Sequence, residues 1–154
     1  MTKKILFVCT QNVTRSMAAH HIMRRYVSEN SVDEYEVDSA GTSANSFERP
    51  YPQVLQFLYQ IGVDASRHNQ KRLDEDLVEQ ADLIVCMSEH HREKIKEEFD
   101  VESVLYNEVV SGKSSDLQDD VEGNPLDLDD FLRQLVMYIN KTMPDFVENI
   151  EDFL

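Results

Sequence analysis

The chain has 154 residues, of which 41% are hydrophobic and 29% are charged, and its formal net charge is −15 at pH 7. A charge this negative disfavours nucleic acid and anionic membrane surfaces as partners, because both bind basic patches. Only two cysteines are present, so the chain is not a disulfide scaffold, and we expect a reduced, cytoplasmic compartment. Any phosphate-like ligand must therefore meet a local positive site.

The length suits one domain with a sizeable core, and we expect residues 1–154 to form a single domain. No stretch approaches the length of a membrane span, and the apolar run over residues 5–9 is far too short for a signal peptide. We expect no cofactor, no metal and no membrane partner, and we take a monomer as the default.

The first elements follow the pattern of a βαβ unit. Residues 5–8 form a continuous apolar run, typical of a strand buried on both faces. After a polar segment, apolar residues recur at helical spacing and predict a helix from near Ser16 to Tyr26. Residues 35–39 predict a second strand. A second helix follows, which is entered through prolines and closes near Gly62.

The second half continues the alternation of strands and helices. Asp74 is typical of the N-cap of a short helix, and residues 83–87 predict a third strand. Ser88 begins a charged helix that reaches residue 99, and a fourth short strand lies within 101–106. The long amphipathic pattern that starts at Leu128 predicts a last helix, which we expect Pro144 to interrupt.

Four alternations predict an α/β fold, a doubly wound sheet of about four parallel strands with helices on both faces. In such folds the ligand lies beyond the carboxyl ends of the strands, where the strand order reverses. The loop after the first strand is therefore the first place to look for a site.

That loop reads Cys9-Thr10-Gln11-Asn12-Val13-Thr14-Arg15-Ser16. A loop of this length between a strand and a helix can curl so that successive N–H groups point inward, and the helix beginning near Ser16 adds the positive end of its dipole. Such a nest binds a tetrahedral dianion. Arg15 closes it with a planar guanidinium suited to two phosphate oxygens. Residues 10–15 are therefore the predicted phosphate-binding loop.

The same local field acts on Cys9. A thiol beside a helix N-terminus and an arginine ionises more readily than a free thiol, and the thiolate is a nucleophile that faces the bound phosphoryl group. The same loop then carries both the nucleophile and the groups that bind the phosphate, as covalent phosphoryl transfer requires. The alternative is that Cys9 merely ends a buried strand.

Several segments together resemble the low-molecular-weight protein tyrosine phosphatases. Besides the Cys-x5-Arg loop with its asparagine and serine, Asp38-Ser39-Ala40-Gly41-Thr42 is similar to the family's segment after the second strand, and residues 81–87 to its third strand. His68, four residues before Arg72, matches the family's histidine after the second long helix. The resemblance implies that Cys9 is the nucleophile and Arg15 binds phosphate. It also implies a supporting hydrogen-bond network of Asn12, Ser16, Ser39 and His68.

The chain departs from this family at the second catalytic segment, an Asp-Pro dipeptide whose aspartic acid protonates the leaving oxygen. The matching dipeptide here is Asn124-Pro125, and an amide cannot act as a general acid, a role worth roughly 10²–10⁴-fold. Four nearby carboxylates are substitutes: Asp119, Asp120, Glu122 and Asp127. Asp127 also reads as the N-cap of the last helix, with Asp130 three residues on. We expect the acidic loop around them to be a solvated rim, because its spacing does not fit an EF-hand.

The aromatic walls of the site are a second departure. The family usually holds a phosphotyrosine ring between an aromatic after the second strand and others after the Asp-Pro. The comparable positions are Asn45 or Ser46, and Leu126-Asp127. Phe47 and Tyr51 are near enough to serve, or else they pack against the second helix. Phosphotyrosine and another phospho-residue, such as phosphoarginine, both stay open.

The remaining chemistry-bearing residues fall outside the loop. The pairs His20-His21 and His90-His91 lie on predicted helices, where adjacent side chains point about 100° apart, so we expect both pairs at the surface and neither to chelate a metal. Cys86 is predicted to lie in the core, unless the fold brings it to Cys9 for a disulfide.

Three functions are compatible with these residues. The leading one is phosphomonoester hydrolysis through a phosphocysteine on Cys9, with a phosphorylated protein or a small phosphomonoester as partner. The second is a phosphate-binding module whose catalysis is weakened at Asn124. The third is arsenate reduction, which is disfavoured because it needs further cysteines to resolve the thiol–arsenic adduct.

Overall fold

A computed structural model of the chain describes residues 2–45, 49–117 and 127–154. Within these ranges one parallel sheet has the strand order β2-β1-β3-β4. Its strands are Lys3–Cys9 (β1), Tyr35–Gly41 (β2), Leu83–Cys86 (β3) and Val104–Leu105 (β4). The predicted parallel sheet is confirmed, and its first strand lies in the interior of the sheet.

The helices follow the predicted order with one addition. They are Arg15–Glu29 (α1), Pro52–Gln60 (α2), Glu75–Gln80 (α3), Glu89–Phe99 (α4), Tyr106–Ser111 (α5) and Leu128–Asn149 (α6), with a 3-10 turn at Ile150–Phe153. The predicted caps are confirmed: the Asp74 side chain accepts from the Leu77 N–H, and Ser88 caps α4. The short α5 was not predicted, and it begins at Tyr106, the last residue of the range that was expected to hold the fourth strand.

Side chains of the central strand alternate between two apolar layers. Ile5, Phe7 and Cys9 face the layer that contains α1, α2, α5 and α6. Leu6 and Val8 face a smaller layer that contains residues of α3 and α4. Because helices cover both faces, β1 must be apolar at every position, and this explains its unbroken run.

Helix α6 continues through Pro144, so the predicted interruption is wrong. A proline inside a helix removes one backbone hydrogen bond and costs about 3 kcal/mol. Here the residues on either side hold the helix against the core, because Met143 and Phe146 are fully buried and Phe146 stacks on Tyr106. Within the described ranges no helix, α6 included, is apolar enough over a sufficient length to cross a bilayer.

Candidate functional site: the loop between β1 and α1

The predicted loop lies where the strand order reverses. β1 ends at Cys9, residues 10–14 leave the sheet, and α1 begins at Arg15. β2 lies on one side of β1 and β3 on the other, so the loop emerges at the crevice between oppositely directed crossovers. The sequence pattern therefore placed the loop correctly relative to the sheet.

The Cys9 sulfur receives two short contacts. The backbone N–H of Asn12 donates to Sγ at 3.3 Å, and the Ser16 hydroxyl lies 2.9 Å from Sγ. Asn12 Nδ2 donates to Ser16 Oγ at 2.8 Å, and the Ser16 hydroxyl also lies 3.4 Å from the Ala40 carbonyl oxygen. These bonds hold the sulfur at the base of the loop, in a position that suits a nucleophile.

Asn12 joins the loop to the rest of the fold. Its backbone is left-handed, with φ of 61°, and its side chain is fully buried. The backbone carbonyl oxygen of Asn12 accepts from His68 Nε2 at 2.8 Å, and its side-chain Oδ1 accepts from the Lys71 N–H at 3.1 Å. Asparagine tolerates this conformation better than most residues. The loop is thereby tied to the segment after α2.

Several loop amides are left over for a ligand. Among the described residues, the backbone N–H groups of Gln11, Val13 and Thr14 have no hydrogen-bond partner. The loop is nevertheless fixed in place, since Gln70 Nε2 donates to the Gln11 carbonyl at 2.7 Å and the Ser43 N–H to the Thr10 carbonyl at 2.9 Å. A rigid loop with free donors at a helix N-terminus can bind an oxyanion.

The end of β2 contacts the loop through backbone atoms. The Thr42 N–H donates to the Cys9 carbonyl at 2.8 Å, and Gly41 pairs with Cys9 in the sheet. A Cβ atom at Gly41 would lie 2.4 Å from the Thr10 carbonyl oxygen and 2.9 Å from the Asn12 nitrogen. Only glycine permits this approach of two backbone segments.

Arg15 is completely buried at the start of α1. Its Nη1 donates to Ser88 Oγ at 2.6 Å and to the Leu117 carbonyl at 2.7 Å. These contacts orient the guanidinium from two sides, the start of α4 and the segment that leads towards the acidic loop. Burial of an arginine is costly unless polar groups surround it, so a fixed cation here indicates an anion-binding role.

His91 contacts the loop, which the sequence pattern missed. The expected surface position is wrong for this residue, because its side chain is fully buried. Nδ1 accepts from the Ser88 N–H at 3.1 Å, so Nε2 carries the proton and donates to Thr10 Oγ1 at 2.8 Å. Burial, followed by the Arg15 charge, lowers the pKa of His91 to about 2, and the ring is neutral at pH 7. Its three-residue spacing from Ser88, typical of a capping box, is the signal that could have identified it.

The pair His20-His21 is also not a surface pair. His20 is 9% exposed and its Nδ1 lies 2.7 Å from Ser39 Oγ, while His21 Nε2 lies 2.9 Å from His68 Nδ1. Of the predicted supporting residues, Asn12, Ser16 and His68 are joined to one another or to Cys9. Ser39 instead bonds to His20.

The predicted general-acid positions are only partly described. Asn124, Asp119, Asp120 and Glu122 lie outside the described residues, as do Ser46, Phe47 and Leu126. Asp127 is the N-cap of α6, and its carboxylate accepts from the Asp130 N–H at 2.9 Å, as predicted. Tyr51 is 45% exposed directly before α2. Asn45 is exposed as well.

Cys86 is buried in β3, in agreement with its predicted core position. Its side chain lies in the smaller apolar layer with Val8, whereas Cys9 belongs to the larger layer on the opposite face of the sheet. Its sulfur donates to Ser103 Oγ, and burial raises the pKa of the Cys86 thiol to about 12. This arrangement disfavours a disulfide between the two cysteines.

Comparison with known proteins agrees with this geometry. The family model for low molecular weight phosphotyrosine protein phosphatase matches residues 4–152. The chain belongs to this family. Among its curated relatives, the protein-arginine-phosphatase of Bacillus subtilis is 29% identical over 147 residues, covering 89% of this chain and 97% of the relative.

The chain is also similar to an arsenate reductase in sequence and to an arginine phosphatase in structure. An arsenate reductase of Halalkalibacterium halodurans is 33% identical over 91 residues, which cover 58% of this chain and only 60% of that protein. The structure of the YwlE arginine phosphatase with a Cys-to-Ser change and a phosphorylated active-site serine has a TM-score of 0.85 at 23% identity. It covers 96% of this chain and 95% of that one. At this identity the structural likeness concerns the fold.

A substitution at Gly41 tests how far the phosphatase loop depends on β2. We expect Gly41→Ala to displace residues 10–12, weaken phosphate binding and reduce turnover of an aryl phosphate, with about 1–3 kcal/mol lost from the free energy of unfolding. Gly112→Ala is the control: Gly112 has a positive φ, of 78°, which Gly41 does not, and no atom lies within 4 Å of its added Cβ. It should lose stability without losing turnover per folded molecule. Equal turnover in both variants would contradict this.

The buried His91 predicts a pH dependence of stability. Its folded pKa, about 2, lies below the ordinary value of 6.5, so below pH 6.5 the unfolded chain takes up a proton that the folded chain does not. The free energy of unfolding should therefore fall as the pH drops below 6.5, by about 1.4 kcal/mol per pH unit for this ring. Urea unfolding at pH 7 and pH 5.5 should show a shallower pH dependence for His91→Gln. An equally steep pH dependence in His91→Gln and wild type would contradict this.

Proposed function

We propose that the chain hydrolyses phosphomonoesters through a phosphocysteine intermediate on Cys9, with a phosphorylated protein as the natural substrate class. The observation that carries this proposal is the Cys9 sulfur, which accepts the Asn12 N–H and contacts the Ser16 hydroxyl at the base of a loop whose remaining amides face no partner among the described residues. Family membership supports cysteine-dependent phosphatase chemistry. The location would be the cytoplasm, in keeping with two reduced cysteines.

In the first step, the Cys9 thiolate attacks phosphorus, an S–P bond forms and the bond to the leaving oxygen breaks. Loop amides and Arg15 offset the charge on the transferring group, which is where such sites supply most of their catalytic effect. The leaving oxygen then takes a proton from a nearby acid or, without one, from water. In the second step, water attacks phosphorus, the S–P bond breaks, and inorganic phosphate and the Cys9 thiolate are released.

The position of the general acid sets the expected rate. In the family an aspartic acid supplies the proton, and Asn124 occupies the matching position, so we propose low turnover for substrates with poor leaving groups. Asp127 is the described alternative, but its carboxylate is already engaged as the cap of α6. A phosphate-binding module with little catalysis is therefore the second candidate function.

The relatives act on different phosphorylated residues, so the specificity of this chain has to be decided by experiment. One relative is a protein-arginine-phosphatase of Bacillus subtilis and another is a low molecular weight protein-tyrosine-phosphatase of Acinetobacter johnsonii. We propose phosphotyrosine, with phosphoarginine as the comparison substrate. Arsenate reduction is disfavoured, because Cys86 faces the other side of the sheet from Cys9 and the chain has no further thiol.

Replacement of the nucleophile tests the proposal directly. Wild type should release phosphate from p-nitrophenyl phosphate, and Cys9→Ser should lose this activity while still binding vanadate or phosphate, because the loop amides and Arg15 remain. Cys86→Ser is the matched control and should keep the wild-type rate. Turnover that survives in Cys9→Ser would refute the phosphocysteine pathway. Oxyanion binding without turnover in the wild type would favour the binding module.

A second substitution tests the missing general acid. Asn124→Asp should raise turnover, and it should do so far more for phenyl phosphate than for p-nitrophenyl phosphate, since nitrophenolate leaves without help from a proton donor. Asp127→Asn keeps the helix cap and removes only the acid. If Asp127 merely caps α6, this variant should turn over like wild type. A large loss in Asp127→Asn, with no gain in Asn124→Asp, would instead make Asp127 the acid.

A further inference from the structure

Three imidazoles meet directly behind the phosphate-binding loop. His20 and His21 come from α1, and His68 comes from the segment after α2. One nitrogen of each ring lies within 4.8 Å of a nitrogen of each of the others. His68 is distant in sequence from His20 and His21 and reaches them only in the folded chain. Each histidine pair, considered alone in the sequence, therefore predicted no metal site.

Hydrogen bonds fix the orientation of two of these rings and the tautomer of His68. His68 Nε2 lies 2.8 Å from the Asn12 carbonyl, which only accepts, so Nε2 carries the proton and Nδ1 presents its lone pair to the cluster. His20 Nδ1 is bonded to Ser39 Oγ, which leaves Nε2 for a ligand. Metal-binding histidines in proteins are typically held through their second nitrogen in this way.

Two ring nitrogens of the cluster remain available to a ligand. His20 Nε2 and His21 Nδ1 have no hydrogen-bond partner among the described residues.

We propose that His20, His21 and His68 form a binding site for a divalent zinc ion. Imidazole nitrogens suit zinc, which binds them at about 2.0–2.1 Å in a tetrahedral arrangement. A cavity of about 470 Å³ adjoins the cluster and is lined in part by His21, His68 and Asp64. A water molecule or the Asp64 carboxylate would take the fourth position from that side.

Binding requires a defined rearrangement. In the described state the His20 and His21 rings stack, with centroids 4.3 Å apart and planes 9° from parallel. A metal lies in the plane of each ligand ring, so His21 must turn out of the stack and exchange its hydrogen bond to His68 for a metal bond. His21 borders the cavity, which gives it room to turn. Three arginines, Arg24, Arg25 and Arg67, also line the cavity, and their positive charges oppose a cation there and lower its affinity.

The site would be coupled to the phosphate-binding loop through a single hydrogen bond. A metal on His68 Nδ1 makes the opposite N–H a stronger donor to the Asn12 carbonyl, and the Asn12 N–H in turn contacts the Cys9 sulfur. Zinc and phosphate binding should therefore influence each other, and the influence is reciprocal.

Zinc titration of the Cys9→Ser protein tests the site without interference from the reactive thiol. After treatment with a chelator and its removal, calorimetry with zinc chloride should show one ion per chain. Cobalt(II) should give the intense visible absorption of a tetrahedral complex. His21→Ala in the same background should weaken binding at least about 10-fold. His90→Ala removes an exposed histidine of the other pair and should bind zinc as before.

Two outcomes would overturn the site: no zinc binding in Cys9→Ser, or binding that His21→Ala leaves unchanged. His21→Gln guards against misfolding, because glutamine keeps size and polarity, and urea unfolding of each variant shows whether it is folded. Aryl phosphate turnover of the wild type in chelator is measured separately. A failed zinc site therefore leaves the proposed phosphatase intact, and a failed phosphatase leaves the zinc titration interpretable.

Discussion

The loop depends above all on the hydrogen bonds of one buried asparagine. Asn12 donates through its backbone to the Cys9 sulfur and through its amide to Ser16, and it accepts from His68 and from the Lys71 backbone. Each bond fixes a different neighbour, and Asn12 makes them from a left-handed backbone that asparagine tolerates. These bonds hold the loop in one shape before any ligand arrives. That preorganisation lets free amides act on an oxyanion without first being ordered.

The strand order explains why side chains from several segments can contact Asn12 and its loop. Since β1 is flanked by β2 and β3, the loop after β1 lies between two other strand ends. Gly41 brings β2 into backbone contact with the loop, and Ser88 after β3 orients Arg15. The segment after α2 then adds His68. Residues distant in sequence thus supply the support that a loop of five residues cannot supply itself.

Features that depend on local sequence were predicted correctly, and features that depend on tertiary contacts were not. The strand at residues 3–9 and the loop after it were predictable, because local apolar runs and residue spacing encode them directly. His20 and His91 were misplaced, because which face of a helix is buried depends on the neighbours that the fold brings to it. The continuation of α6 past Pro144 was missed for the same reason: the buried Met143 and Phe146 offset a local cost that the sequence shows plainly. Tertiary contacts therefore decided the cases in which local rules failed.

The charges around the loop show how an acidic chain can attract an anion. With a net charge of −15, the long-range field of the protein repels phosphate, so attraction must come from groups within a few ångströms. Arg15 supplies a full charge, and the start of α1 supplies part of one. His91 lies beside Arg15 but stays neutral, because burial and then the Arg15 charge lower its pKa, and its Nδ1 accepts from the Ser88 N–H. Its contribution is thus orientation of Thr10, while the positive charge is concentrated on the guanidinium, whose planar geometry matches two oxygens of a phosphate.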